Sequence, residues 1–423
     1  MRSSFRRTSL VAAVSAAVLA VTGCTISQTP TTTQSPGTTT LRFWEYYTAG
    51  GQADWLKDQT AKFEAANPGV KVELVQVVGS QQDQKLLAAV ATGNGPDILI
   101  NNIVVDFPTL VGGNVLKDIT AEWNAYPDKS QYPAATAWQN DGKVYNLLSY
   151  TNLLGMYYNA DILSSVGIAT PPTNLDELEA DMAKVTSGGK YKALAESGAP
   201  TVEGAWLFAP QLLGKNINYC NFSGPEVDAA FGRVADWAQK GYLPKATATW
   251  DQNAAWQQFM TGKYAFGFNG NWQLGNVKAA KFKYGTTQFP APAGGTSVVY
   301  PGGEGIGIGA QSKHPDLAWK YLQSVFLSQE GGEALFTAAG SIPVRADVAD
   351  APEIKKDTYV QPFIKAAQDS GHWPNNPKTA DMQTALGKAV SGVISGQLTA
   401  QEGAAAAEKN VAAAQQSGGG TCQ

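Results

Sequence analysis

The chain has 423 residues, a formal charge of −4, 43% hydrophobic and 16% charged residues. A mildly acidic chain with no basic run argues against nucleic acid as a natural partner. Its length suggests two domains of ordinary size.

The first residues carry Arg2, Arg6 and Arg7 and no acid, and an apolar run from Leu10 to Val21 follows. That run falls short of the roughly 20 apolar residues of a membrane-spanning helix. A basic start, a short apolar stretch and small residues before a cut mark an export signal. The stretch ends in Val21-Thr22-Gly23-Cys24, which resembles the lipobox of bacterial lipoproteins, whose Cys is acylated and becomes the new N-terminus. The resemblance implies a signal peptide over 1–23, a palmitate-type lipid on Cys24 and a place on the extracytoplasmic face of the cell membrane. The alternative is a plain secretory signal with a chance Cys. Arg6 and Arg7 leave the general and the twin-arginine export routes both open. Residues 24–40 are mainly Thr, Ser, Pro, Gln and Gly, a solvated tether. Loss of 1–23 leaves 400 residues and moves the charge from −4 to −7, since three Arg go. Cys220 and Cys422 then either pair in an oxidising compartment or stay as two free thiols.

Leu41-Arg42-Phe43-Trp44 reads as a buried strand. A helix follows, with Trp55, Gln59 and Phe63 four apart, and stops at Asn67-Pro68-Gly69. Val70 to Val77 suggests a strand, 82–92 a helix, and Pro96 to Ile100 another strand. This β-α-β-α-β run favours a mostly parallel sheet with helices on its faces, and ligands on such sheets bind beyond the strands' carboxyl ends. Thr173 or Asn174 caps a further helix. An amphipathic helix follows Pro315, a second ends at Gly340, and about 380–414 is Ala-rich and helical.

Reactive clusters are scarce. His314 and His372 have no ligand partners at metal spacing, and no Gly-x-Ser-x-Gly elbow occurs. Gly302 to Gly309 fits neither a dinucleotide fingerprint nor a phosphate loop; its glycines suit a strand passing close to a ligand or another backbone. No cofactor is expected. Instead, 11 Trp and 16 Tyr stand out, several in Asn- and Gly-rich contexts such as Asn269-Gly270-Asn271-Trp272. An aromatic face matches the C–H face of a sugar, and Asn, Asp, Glu and Arg match its hydroxyl edge.

Phe63-Glu64-Ala65-Ala66-Asn67-Pro68-Gly69, Ala91-Thr92-Gly93-Asn94-Gly95-Pro96-Asp97, Tyr157-Tyr158-Asn159 and Phe259 to Trp272 occur in an order similar to that of bacterial extracellular solute-binding proteins of the sugar-binding, maltose-binding-protein-like type. The resemblance covers nearly all of 41–410. It implies an α/β fold of two lobes, 41–149 with 300–344 and 150–299 with 345–423, joined by a hinge with ligand in the cleft between them. It implies a monomeric, non-enzymatic receptor that hands a carbohydrate to the permease subunits of an ABC transporter. By place in these motifs the ligand-binding positions are Glu45, Tyr46, Tyr47, Asn101, Asn102, Asp106, Tyr150, Asn152, Glu203, Trp206, Asn271, Trp272, Gly302, Gly303, Glu304, Arg345 and Trp373. Arg345 either reaches the cleft or pairs an acid. No aromatic partner beyond residue 380 is evident, which puts maltose itself in doubt. The competing readings are a lipid-anchored glycoside hydrolase using two cleft carboxylates, and a receptor for a polyol or a sugar phosphate.

Overall fold

The computed structural model describes residues 37–47, 50–374 and 376–420. Cys24, most of the tether and Cys422 lie outside them. Strands β1 (Thr39–Glu45), β2 (Val70–Gln76), β3 (Ile98–Asn102), β4 (Ala137–Asn140) and β5 (Lys143–Leu148) come first. There follow β6 (Tyr150–Thr151), β7 (Leu154–Asn159), β8 (Lys192–Ala195), β9 (Tyr264–Gly270) and β10 (Tyr284–Gln288). The last are β11 (Glu304–Ile308) and β12 (Ile342–Pro343). They form a six-stranded sheet in the order β2-β1-β3-β11-β5-β4, a four-stranded sheet β10-β7-β9-β8 and a two-stranded ribbon β12-β6.

The opening alternation behaves as the sequence predicts. Helix Gly51–Ala66 buries Trp55, Leu56, Gln59 and Phe63. It ends where the Asn67 amide donates to the Phe63 carbonyl at 2.7 Å, and Gly69 at φ 88° turns the chain into β2. β1 starts two residues inside the expected tether, because Thr39 and Thr40 pair with Val70 and Lys71. In the six-stranded sheet the parallel pairing runs through β1, β2 and β3, and in the second sheet β8 pairs with β9 in parallel. β11 lies antiparallel between β3 and β5, since the chain returns from the second lobe at the carboxyl ends of these strands and must run back along them.

Later helices carry their own stops. Asn174 accepts from the Glu177 N–H at 2.9 Å while Glu177 accepts from the Thr173 N–H at 2.8 Å. Gly340 at φ 76° ends Gln329–Ala339. The Ala-rich end is two helices, Thr379–Ser395 and Ala400–Ser417. Gly396 in the left-handed region ends the first, and a Thr399–Glu402 capping box starts the second.

Two large cores result. One draws on Leu41 to Tyr150 and Ile306 to Ala339, the other on Leu153 to Tyr300 and Ile342 to Val411. The chain therefore passes between the cores three times, near 151, 303 and 341. Among the described residues no helix is long and apolar enough to cross a membrane. Cys220 is disulfide-bonded; Cys422, its expected partner, falls outside the described residues.

Candidate functional site

The three passages lie side by side. Thr151 pairs with Ile342 and Tyr150 with Pro343 in the β6–β12 ribbon. Asn152 and Gly302 exchange backbone hydrogen bonds of 3.0 and 2.7 Å. The carboxyl end of β1 brings Glu45, Tyr46 and Tyr47 to this junction from one lobe, and the end of β9 brings Asn271 and Trp272 from the other.

Glu304 is the hub. Its carboxylate accepts from the Asn152 amide at 3.1 Å and from the hydroxyls of Tyr46 and Tyr150. Burial pushes this carboxyl up to about 7, and those three donors, with the backbone N–H of Glu304 itself, hold it below where burial alone would take it. The network continues on both sides. The Tyr47 and Tyr150 hydroxyls share a short hydrogen bond, and the Gln52 amide reaches Tyr150 Oη at 3.5 Å and Ser341 Oγ at 3.4 Å. Toward the second lobe, Asn271 Nδ2 donates to Asn152 Oδ1 at 3.4 Å and to the Gly340 carbonyl at 2.9 Å, while Asn271 Oδ1 accepts from the Leu153 N–H at 2.7 Å. One hydrogen-bonded chain thus ties both lobes and all three passages together. Beside it, burial raises the Glu45 carboxyl against the pull of the Tyr47 N–H and Lys57. Asp106 accepts from the exposed Asn102 N–H at 3.0 Å. Burial, then the charge of Asp83, pushes its carboxyl up to about 8.

The aromatic part of the site comes from the second lobe. Trp206 and Trp272 stack with ring centroids 5.5 Å apart and planes 11° from parallel. Glycines let these rings lie against backbone. A Cβ on Gly302 would come within 2.9 Å of the Trp206 ring, and one on Gly270 would strike the Trp272 ring. Trp206 sits on helix Val202–Phe208, which the Thr201 side chain caps. Its indole N–H is buried and has no partner among the described residues. Glu203, nearly one turn earlier, accepts from the Gln252 N–H at 2.7 Å, and burial raises its carboxyl.

Three expected site residues point elsewhere. Asn101 is fully buried and accepts from the Asn146 amide at 2.5 Å. Its side chain lies in the sheet because Gly305, opposite it on β11, leaves room for Asn146 there. Arg345 does not reach the cleft and pairs acids. It holds Asp347 at 2.8 Å and Asp128 at 3.0 Å and donates to the Leu327 carbonyl at 2.9 Å. Tyr126 and Tyr132, both donating to that same carbonyl, complete a clamp behind the third passage. Trp373 stacks on Tyr300 at 4.0 Å and donates to the Pro301 carbonyl at 2.6 Å. It buttresses the second passage from behind. Gly303 adopts φ 144° against the Tyr150 carbonyl. Sequence reasoning missed Gln52, Ser341 and Asp83. It also missed Glu196, which follows β8 and whose carboxyl burial lifts to about 8. No group of three or more His, Cys, Asp or Glu able to hold a metal ion occurs among the described residues.

A sequence profile described as bacterial extracellular solute-binding protein matches residues 58–362. The maltodextrin-binding protein MdxE of Bacillus subtilis is 24% identical over 418 residues, covering 93% of this chain and 94% of that protein. Among solved structures, maltose-bound MalE3 of T. maritima is similar with a TM-score of 0.80 at 19% identity, covering 88% of this chain and 98% of that one. An ABC transporter solute-binding protein of Thermotoga lettingae, bound with α-D-tagatose, has a TM-score of 0.80 at 20% identity, covering 89% of this chain and all of that one (100%). At these identities the structural likeness establishes the two-lobed α/β fold.

Proposed function

Because the chain belongs to the bacterial extracellular solute-binding proteins, we propose that it captures a carbohydrate between its lobes and delivers it to the permease of an ABC importer. The observation that carries this reading is the Trp206–Trp272 pair next to the Glu304–Asn152 hub. An apolar ring face edged by carboxyl and amide groups complements a sugar, with its C–H face and its rim of hydroxyls. The relatives point the same way, since one is named for maltodextrin and two were solved with maltose and α-D-tagatose. The difference between those two sugars also means that the fold leaves the choice of sugar to the side chains.

Function then follows from closure. Three adjacent passages between two cores suit a hinge, and a closed, loaded shape is what a permease can recognise. ATP hydrolysis belongs to partner subunits. A lipid on Cys24 and the tether behind it keep a monomeric receptor at the extracytoplasmic face of the membrane, near that permease.

Calorimetry with mono-, di- and oligosaccharides tests the reading, with a micromolar or tighter binder expected. Trp272→Ala should weaken that binder more than tenfold, and an unchanged affinity would remove Trp272 from the site. Glu203 and Glu304 both hold raised carboxyls, the state a glycoside hydrolase needs in its acid. New reducing ends on incubated oligosaccharides would favour that reading over capture.

A further inference from the structure

We propose that the first lobe carries a second ligand site, apart from the cleft, that takes a small ring-shaped carboxylate. A cavity of about 300 Å3 opens between the β4–β5 hairpin and the short helix Thr120–Asn124. The sequence leaves room for it. Trp138 packs on Phe107, β4 is bulged between Trp138 and Gln139, and small residues such as Ala137 and Gly142 line the space.

The floor is aromatic. Trp123 and Tyr132 line the cavity, are themselves buried, and meet with ring centroids 5.6 Å apart and planes 71° from parallel. The rim is polar, with Thr120, Gln139 and Lys129. Among the described residues that line the cavity, Lys129 is the one that carries charge. Its ammonium donates to Asn124 Oδ1 at 2.6 Å and lies 6.0 Å from the centre of the Trp123 ring. The acids on this face are committed to other cations: Asp128 pairs with Arg345 and Asp118 with Lys143. A flat or puckered ring therefore gains the Trp123 and Tyr132 surface, and a carboxylate on that ring gains an ammonium that no acid of the chain has claimed. Aromatic acids and uronic acids share this chemistry.

The cavity is separate from the sugar site. The Tyr132 hydroxyl donates to the Leu327 carbonyl at 2.8 Å, and Arg345 donates to that same carbonyl at 2.9 Å. Arg345 lies two residues beyond β12, so this clamp stands between the cavity and the third passage. The proposal thus holds whether or not the cleft takes a saccharide.

Calorimetry on the mature chain tests it, with benzoate and glucuronate each beside its neutral amide. At least one acid should bind with submillimolar affinity, and its amide should bind about three- to fivefold more weakly, the scale of one solvent-exposed ion pair. Lys129→Gln should bring acid and amide to equal affinity. Ala137→Leu, which fills the cavity, should weaken both at least tenfold. Neutral saccharides that fill the cleft should leave the acid in place. The proposal is overturned if neither acid binds, if acid and amide bind alike, or if Lys129→Gln leaves their difference unchanged. An acid displaced by a neutral saccharide sits in the cleft, and displacement of both acids equally overturns the second site.

Discussion

Replacing Glu304 by Gln should make the protein's stability depend on pH differently. In the folded chain the Glu304 carboxyl titrates at about 7, against 4.5 ordinarily. Between those values the folded state holds a proton that the unfolded state has released. Stability at this site is therefore fully present below pH 4.5 and is lost as pH rises through 7. The loss amounts to about 3 kcal/mol. Glu304 is faced by its own backbone N–H, the Tyr46 and Tyr150 hydroxyls and the neutral Asn152, with Tyr47 behind Tyr150 and Asp106 beyond Tyr46. Gln keeps the size of the side chain and does not titrate. Urea unfolding of both proteins at pH 4.5, 6 and 8, taken as a difference, cancels most other titrations. The variant should gain on the parent by about 3 kcal/mol from the lowest to the highest pH. A difference that stays flat within 0.5 kcal/mol, or so, would refute the assignment of this proton to Glu304.

Three further outcomes follow from the geometry. Arg345→Met should cost about 2–4 kcal/mol in unfolding free energy, because it leaves Asp347 and the Leu327 carbonyl without their guanidinium; sugar affinity should stay within twofold by calorimetry. Gly302→Val places a side chain where the Trp206 ring lies 2.9 Å from the Cβ position, so sugar affinity should fall at least tenfold with a stability loss of about 1–3 kcal/mol. Cys24→Ser should move the protein from the detergent phase to the aqueous phase in phase partitioning of expressing cells, and a variant that stays with detergent would rule out the lipid anchor.

Much of the first lobe was legible because its signals are local. Asn67-Pro68-Gly69 stops a helix by its own chemistry, and Asn174 caps one by reaching three residues ahead. The ring pair was legible in part: the Asn- and Gly-rich context of Trp272 pointed to a ring outside the core, while its stacking on Trp206 did not show. What stayed hidden depends on contacts distant in sequence. β11 runs antiparallel between β3 and β5 only because the chain returns from the other lobe. The sequence leaves Arg345 open between the cleft and an acid, and Asp128 and Tyr126, more than 200 residues away, decide it by claiming the side chain. Asn101 follows Ile100 toward the cleft, but alternation along β3 and the space above Gly305 turn its side chain inward. The Glu304 hub gathers groups from around 46, 150 and 304, and no spacing rule reveals that these become neighbours.

The most direct test of capture by closure is small-angle X-ray scattering of the mature chain titrated with saccharides. The account predicts a saturable fall in the radius of gyration with at least one neutral sugar, lost in Trp272→Ala. A radius unchanged by every sugar in the panel would contradict it.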